Sequence, residues 1–174
     1  MRNAIRTALS ITALAMLASA CGESNLAAPK ELCGVPLEES STSPLIPQGE
    51  ILKTWAPYPV DADPADCAIK VDGSVIVDIT VRFTDKDPAP EDWEYAKSEY
   101  KLGALRKTPF AGTAVIGTDG ALISAKCDSP TKYLQFVTYF DGDRVDNSQA
   151  GVEKLQNFIE DFVTGAKKKI GCTA

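Results

Sequence analysis

A strict alternation runs through residues 74–83. Val75, Val77, Ile79, Val81 and Phe83 fall on one side, and Ser74, Ile76, Asp78, Thr80 and Arg82 on the other. A period of two is that of a strand with one apolar face. Cys67, Ile69 and Val71 continue it upstream, across Val71-Asp72-Gly73. A two-residue Asp72-Gly73 loop would pair Val71 with Ser74 and bring opposite faces together. A three-residue loop instead pairs Lys70 with Ser74 and Ile69 with Val75. It also puts Gly73 at the left-handed position of a bulged turn. The three-residue loop is the expected one.

The same logic applies at Thr118-Asp119-Gly120, between residues 113–117 and 121–125. There a three-residue loop pairs Val115 with Ile123 and gives Gly120 the left-handed place. Residues 133–139 read as a fifth strand, with Leu134/Phe136 and Val137/Tyr139 competing for the inner face. Pro90, Glu91 and Asp92 suit a helix start, and that helix should run to about Leu102, before Gly103. Its Trp93, Ala96 and Tyr100 make a modest stripe. The last helix is more strongly marked. Asn147 or Ser148 caps it, and Val152, Leu155, Phe158, Ile159, Phe162, Val163, Ala166 and Ile170 recur at helical spacing. Lys167, Lys168 and Lys169 sit at the negative end of its dipole, and Gly171 suits the position after its last turn. One apolar sheet face needs a cover, and this helix has the matching face. The expectation is a two-layer α+β domain, an antiparallel sheet of about five strands under a long C-terminal helix. Residues 33–55 are interrupted by Pro44 and Pro47, with room for one short helix before Pro44. Residues 55–64 are proline-rich and extended; their aromatic–proline spacing suits a ligand groove, but a connection laid across the core with Trp55 buried is the expected reading.

The N-terminus has a different character. Arg2 and Arg6 precede ten uncharged, mostly apolar residues, 8–17, and then Ala18-Ser19-Ala20-Cys21. These are the three parts of an export signal, with an apolar run too short to span a bilayer. Small residues before Cys21 satisfy ordinary signal peptidase, which would leave a freely secreted chain with one thiol. The same residues, with Leu17, resemble the lipobox of bacterial lipoproteins. That resemblance implies cleavage before Cys21 and acylation of its thiol with palmitate-type chains, each buried CH₂ adding about 0.8 kcal/mol to anchoring. The division expected is residues 1–20 as signal, 21–32 as lipidated cysteine and tether, and 33–174 as one domain. Four cysteines remain. Outside the cytoplasm Cys33, Cys67, Cys127 and Cys172 suggest two disulfides; zinc would want closer pairs. Strand parity turns Cys67 and Cys127 to the covered face, and Cys172 follows the covering helix. Cys33–Cys67 and Cys127–Cys172 is therefore expected, with Cys67–Cys172 the competitor.

The cysteine arrangement, Cys33-Gly34-Val35 at the start of the domain, Cys67 opening a hairpin, Cys127 after a strand and Cys172 near the end, resembles that of uncharacterised actinobacterial cell-envelope lipoproteins. The resemblance implies a place on the outer side of the membrane and no particular activity.

Chemistry is mostly excluded. The chain has no histidine, so Ser-His-Asp and Cys-His activation and histidine-ligated metals are out. Without Arg2 and Arg6, 16 basic residues face 24 acidic ones, and the net charge moves from −6 to −8. That disfavours nucleic acid. Asp141-Gly142-Asp143 and Asp61-Ala62-Asp63 lack the later ligands of a calcium loop. No phosphate loop or nucleophile elbow occurs. No catalytic residue, metal or cofactor is nominated. The expected function is a membrane-anchored, non-catalytic lipoprotein that binds an envelope protein or glycan. The alternative is a carboxylate-based hydrolase of wall glycans, since many acidic pairs are available.

Overall fold

The computed structural model describes residues 25–172. The chain forms an α+β domain: a seven-stranded antiparallel sheet, a two-stranded sheet and a long C-terminal helix packed on the larger sheet. In chain order the strands are β1 (Glu31–Leu32), β2 (Val35–Pro36), β3 (Leu52–Trp55), β4 (Ala65–Val71), β5 (Ser74–Thr84), β6 (Ala104–Leu105), β7 (Gly112–Ile116), β8 (Gly120–Lys126) and β9 (Tyr133–Phe140). The helices are α1 (Glu39–Thr42), α2 (Pro90–Glu99) and α3 (Gln149–Ile170), with a 3₁₀ turn at Ser43–Leu45. The large sheet runs β3-β4-β5-β9-β8-β7-β6. Thus β9, last in sequence, closes the middle and joins two hairpins made earlier. The sheet has seven strands rather than about five because β3 and β6 are short edges of four and two residues. Neither is long enough to show an alternation.

The first hairpin turns differently from expectation. Val71 pairs with Ser74 across a two-residue Asp72-Gly73 loop, with φ of +51° and +86°. Two successive positive φ angles match the right-handed twist of a tight hairpin. The parity problem is solved one step later by a bulge. Lys70 pairs with Val75 but Ile69 with Val77, leaving Ile76 as the extra residue. Val75 is therefore turned out, at 38% exposure, and Ile76 goes in, at 6%.

The second hairpin is also shifted by one. Ala114 pairs with Ile123 and Val115 with Leu122, while the Gly117 N–H donates to the Gly120 carbonyl at 2.9 Å. The loop is Thr118-Asp119, and Gly120 is not in the left-handed region. Its glycines serve space instead. A Cβ at Gly120 would lie 2.5 Å from Cε1 of Tyr100, and one at Gly117 would lie 2.8 Å from Cβ of Tyr100. Tyr100, just past α2, is packed on this turn. Helix α2 ends at Glu99, short of Leu102, and the Gly103 N–H donates back to the Tyr100 carbonyl.

Helix α3 covers the inner face. Val152, Leu155, Phe158, Ile159, Phe162, Val163 and Ala166 are buried against Val77, Ile79, Val81, Ile123, Leu134 and Phe136. Phe162 meets Phe136 edge-on at 6.2 Å between centroids. The competition along β9 is resolved in favour of Leu134, Phe136, Thr138 and Phe140, which are buried. Ser148 caps α3 by accepting the Gly151 N–H, and Gly171 closes it at φ +86°.

On the opposite face α2 makes a smaller core. Ala96 and Tyr100 pack on Val115 and Leu122, with Trp93 and Val137 at the margin. It lies over β7 and β8, with Val137 of β9 at its edge. Among the described residues no helix packs on the outer face of β3, β4 and β5.

The described part of the expected tether is docked. Asn25 donates to the Gly49 carbonyl at 2.7 Å and accepts the Gly49 N–H at 3.1 Å. Leu26 and Ala28 pack against the core, and residues 31–32 form β1. Residues 25–32 thus pack on the same core as the strands that follow.

Candidate functional site

The half of the outer face left open by α2 is organised by strand register. Trp55 lies opposite Ala68, Ala68 opposite Asp78, and Asp78 opposite Tyr139. One rung across four strands therefore carries an aromatic ring at each end and a small residue and a carboxylate between. At about 4.8 Å per strand, the two rings stand roughly 14 Å apart. Trp55 is 47% exposed and Tyr139 52%. Ala68 is buried, so the floor between them is low and closed.

Both rings are held. The Lys70 ammonium lies 5.5 Å from the centroid of Trp55, a distance at which cation and ring face attract. Tyr139 meets Tyr100 edge-to-face at 6.1 Å. Tyr100 in turn donates its hydroxyl to the Ala121 carbonyl at 3.3 Å, and burial raises its pKa further above the usual tyrosine range. Trp55 was expected in the core. It is on an edge strand whose residues Lys53, Thr54 and Trp55 are exposed, and its register opposite Ala68 turns it to the outer face, away from α3. Tyr58, beyond it, is exposed as well.

The next rung places Asp66 opposite Thr80, and the Thr80 hydroxyl donates to Asp66 Oδ1 at 2.9 Å. Asp66 is diagonal to Asp78, a separation of about 7–8 Å in a regular antiparallel pair. The Asp78 carboxyl is raised above its ordinary value, first by burial and then by the nearby Asp66 charge, with the Ile79 amide and Lys70 acting the other way. The floor thus offers two acceptor carboxylates, one hydroxyl and one ammonium between two aromatic platforms.

Cys21, the expected lipidation site, lies outside the described residues. Cys33 is bonded to Cys67 and Cys127 to Cys172, with Cα separations of 5.8 and 4.6 Å. Cys33, Cys67 and Cys127 are buried in the main core, on the α3 side. They do not contribute to the open face. Asp63 and Asp146, one from each acidic loop, hold local structure. Asp63 accepts the Phe83 N–H at 3.1 Å, and Asp146 accepts the Ser148 hydroxyl at 2.9 Å beside the start of α3. Among the described residues no group of three or more acidic or cysteine side chains could hold a metal ion, and no helix is long and apolar enough to cross a membrane. Sequence reasoning missed the open face because it depends on where α2 lands. The available clues were the aromatic–proline spacing that begins at Trp55 and the polar neighbours Lys53-Thr54 before it.

No protein-family model, curated protein or solved structure matches this chain.

Proposed function

We propose that this chain is a membrane-anchored, non-catalytic extracytoplasmic lipoprotein, held by lipid on Cys21, that binds an envelope glycan on the open sheet face. The rung Trp55–Ala68–Asp78–Tyr139 carries this reading. A sugar ring has a C–H face that stacks on an aromatic ring and hydroxyls that donate to carboxylates. Two exposed rings flanking Asp66, Asp78 and Thr80 supply both. The export signal and the acidic net charge agree with an envelope polymer rather than a nucleic acid. Co-sedimentation of the purified chain with insoluble wall glycan tests it. Trp55→Ala and Tyr139→Ala should each raise the Kd about tenfold, a loss of about 1.4 kcal/mol, with the fold intact by circular dichroism. Wild-type sedimentation by both variants contradicts the reading.

One observation favours a second reading. Asp66 and Asp78 share a face as diagonal neighbours on adjacent strands, a carboxyl pair of the kind glycosidases use, and the raised Asp78 would be the acid. Release of reducing ends from the same glycan, abolished in Asp78→Asn, would establish this reading in place of simple binding.

A further inference from the structure

On the α3 side of the molecule, away from the open sheet face, a groove of about 550 Å³ runs between α3 and the segment from Gly34 to Glu38. Its two walls run in opposite directions. At one end the Glu38 N–H donates to Asp161 Oδ2 at 2.8 Å, and the Ser41 hydroxyl donates to the same oxygen at 2.6 Å. At the other end Gly34 faces Lys169, where a Cβ would lie 3.8 Å from the lysine Cε. Asp161, Thr164, Gly165 and Lys168 share one helical stripe, at spacings of three, four and seven. Both acids, Glu38 and Asp161, therefore lie at one end of the groove, and both exposed ammoniums, Lys168 and Lys169, at the other. Seven residues of helix rise about 10 Å between them. The middle is lined by Pro36, Thr164 and Gly165. Gly165 brings α3 close to β2, since a Cβ there would lie 2.6 Å from Val35 Cγ1.

The charges balance in number but are separated in space, and neither lysine has an ion-pair partner among the described residues. Each wall is also pinned. Cys33, next to Gly34, is tied to Cys67, and Cys172, at the end of α3, is tied to Cys127. A groove braced at both walls loses little freedom on binding. Its volume lies in the ordinary range for small ligands, about 300–1,000 Å³.

We infer that this groove binds a short zwitterionic peptide of about three residues. Its terminal ammonium lies at Glu38 and Asp161 and its terminal carboxylate at Lys168 and Lys169. An extended chain rises about 3.4 Å per residue, so three residues span the distance between the two charged ends. A purely anionic ligand would meet the two carboxylates of Glu38 and Asp161 at its far end. A purely cationic one would meet the lysines.

The test is a nuclear magnetic resonance titration of the full chain at low ionic strength with trialanine, N-acetyl-trialanine and trialanine amide. Unblocked trialanine should shift backbone amides within residues 34–38 and 161–169. Each blocked peptide should bind about fivefold more weakly, as loss of one partly exposed ion pair implies. Lys168→Glu and Glu38→Lys, both at exposed positions, should weaken trialanine similarly. Equal binding of free and blocked peptides, shifts confined to other residues, or no shifts at millimolar peptide would overturn the assignment. The blocked-peptide arm needs no variant to fold.

Discussion

Asp78 is the residue on the open face with most to report. Its folded-state pKa stands above the ordinary 3.8 because the carboxyl is partly removed from water and faces Asp66. A carboxyl of this kind holds its proton more tightly when folded. Its effect is most favourable below the unfolded pKa and is lost as pH rises through the raised folded value. Asp78→Asn removes that loss. The melting temperature of the variant relative to wild type should therefore be higher at pH 7 than at pH 3. An equal difference at the two pH values would show that Asp78 is no more protonated in the folded chain than in the unfolded one. Single residues also set the limits of what the sequence disclosed. The alternation from Ser74 to Phe83 puts Ile76 on the polar side, yet the bulge sends it inward. A bulge leaves no mark in a period of two. The loop pattern suggests a left-handed turn at Gly120, but its lack of a side chain makes room for Tyr100, a partner twenty residues away that no local pattern names.

At the scale of elements, α3, β4, β5, β8 and β9 were legible because each is long enough to repeat its period. The edges β3 and β6 were not, and neither was the placement of α2 on the far face. Its stripe of Trp93, Ala96 and Tyr100 was read correctly as a stripe, but a stripe does not say which face it covers. The open site follows from that placement, so it was hidden for the same reason. The two faces differ in energy. Phe158 is fully buried under α3, and Phe158→Ala should cost about 3–5 kcal/mol. Trp55 is nearly half exposed, and Trp55→Ala should change stability by no more than about 1 kcal/mol. Urea unfolding of both variants checks the contrast. A Trp55→Ala loss as large as that of Phe158→Ala would mean that the tryptophan belongs to the core, as first expected, and is not a free platform.

Over the whole molecule, the two disulfides close loops of 34 and 45 residues in sequence separation. In the chain-entropy model each contributes about 3–4 kcal/mol, a large share of a net stability of about 5–15 kcal/mol. They fasten the N-terminal hairpin and the end of α3 to the sheet and leave the outer face unburdened. Only Gly22, Glu23 and Ser24 separate Cys21 from Asn25, which is tied to Gly49. On the proposed lipid anchor, the domain would stand close against the membrane. Cys21→Ala should move the protein from the membrane fraction to the medium, or leave it with its signal uncleaved. Unchanged membrane fractionation of cleaved protein would refute anchoring through that thiol. The central claim is that the open face meets an envelope glycan, and photo-crosslinking in intact cells addresses it most directly. A benzophenone side chain is placed at position 53, exposed on the open face two residues from Trp55, or at exposed position 91 on α2 as the control. The account predicts a glycan adduct from position 53 and none from position 91. Glycan adducts from position 91 alone, or only protein adducts from position 53, would contradict it.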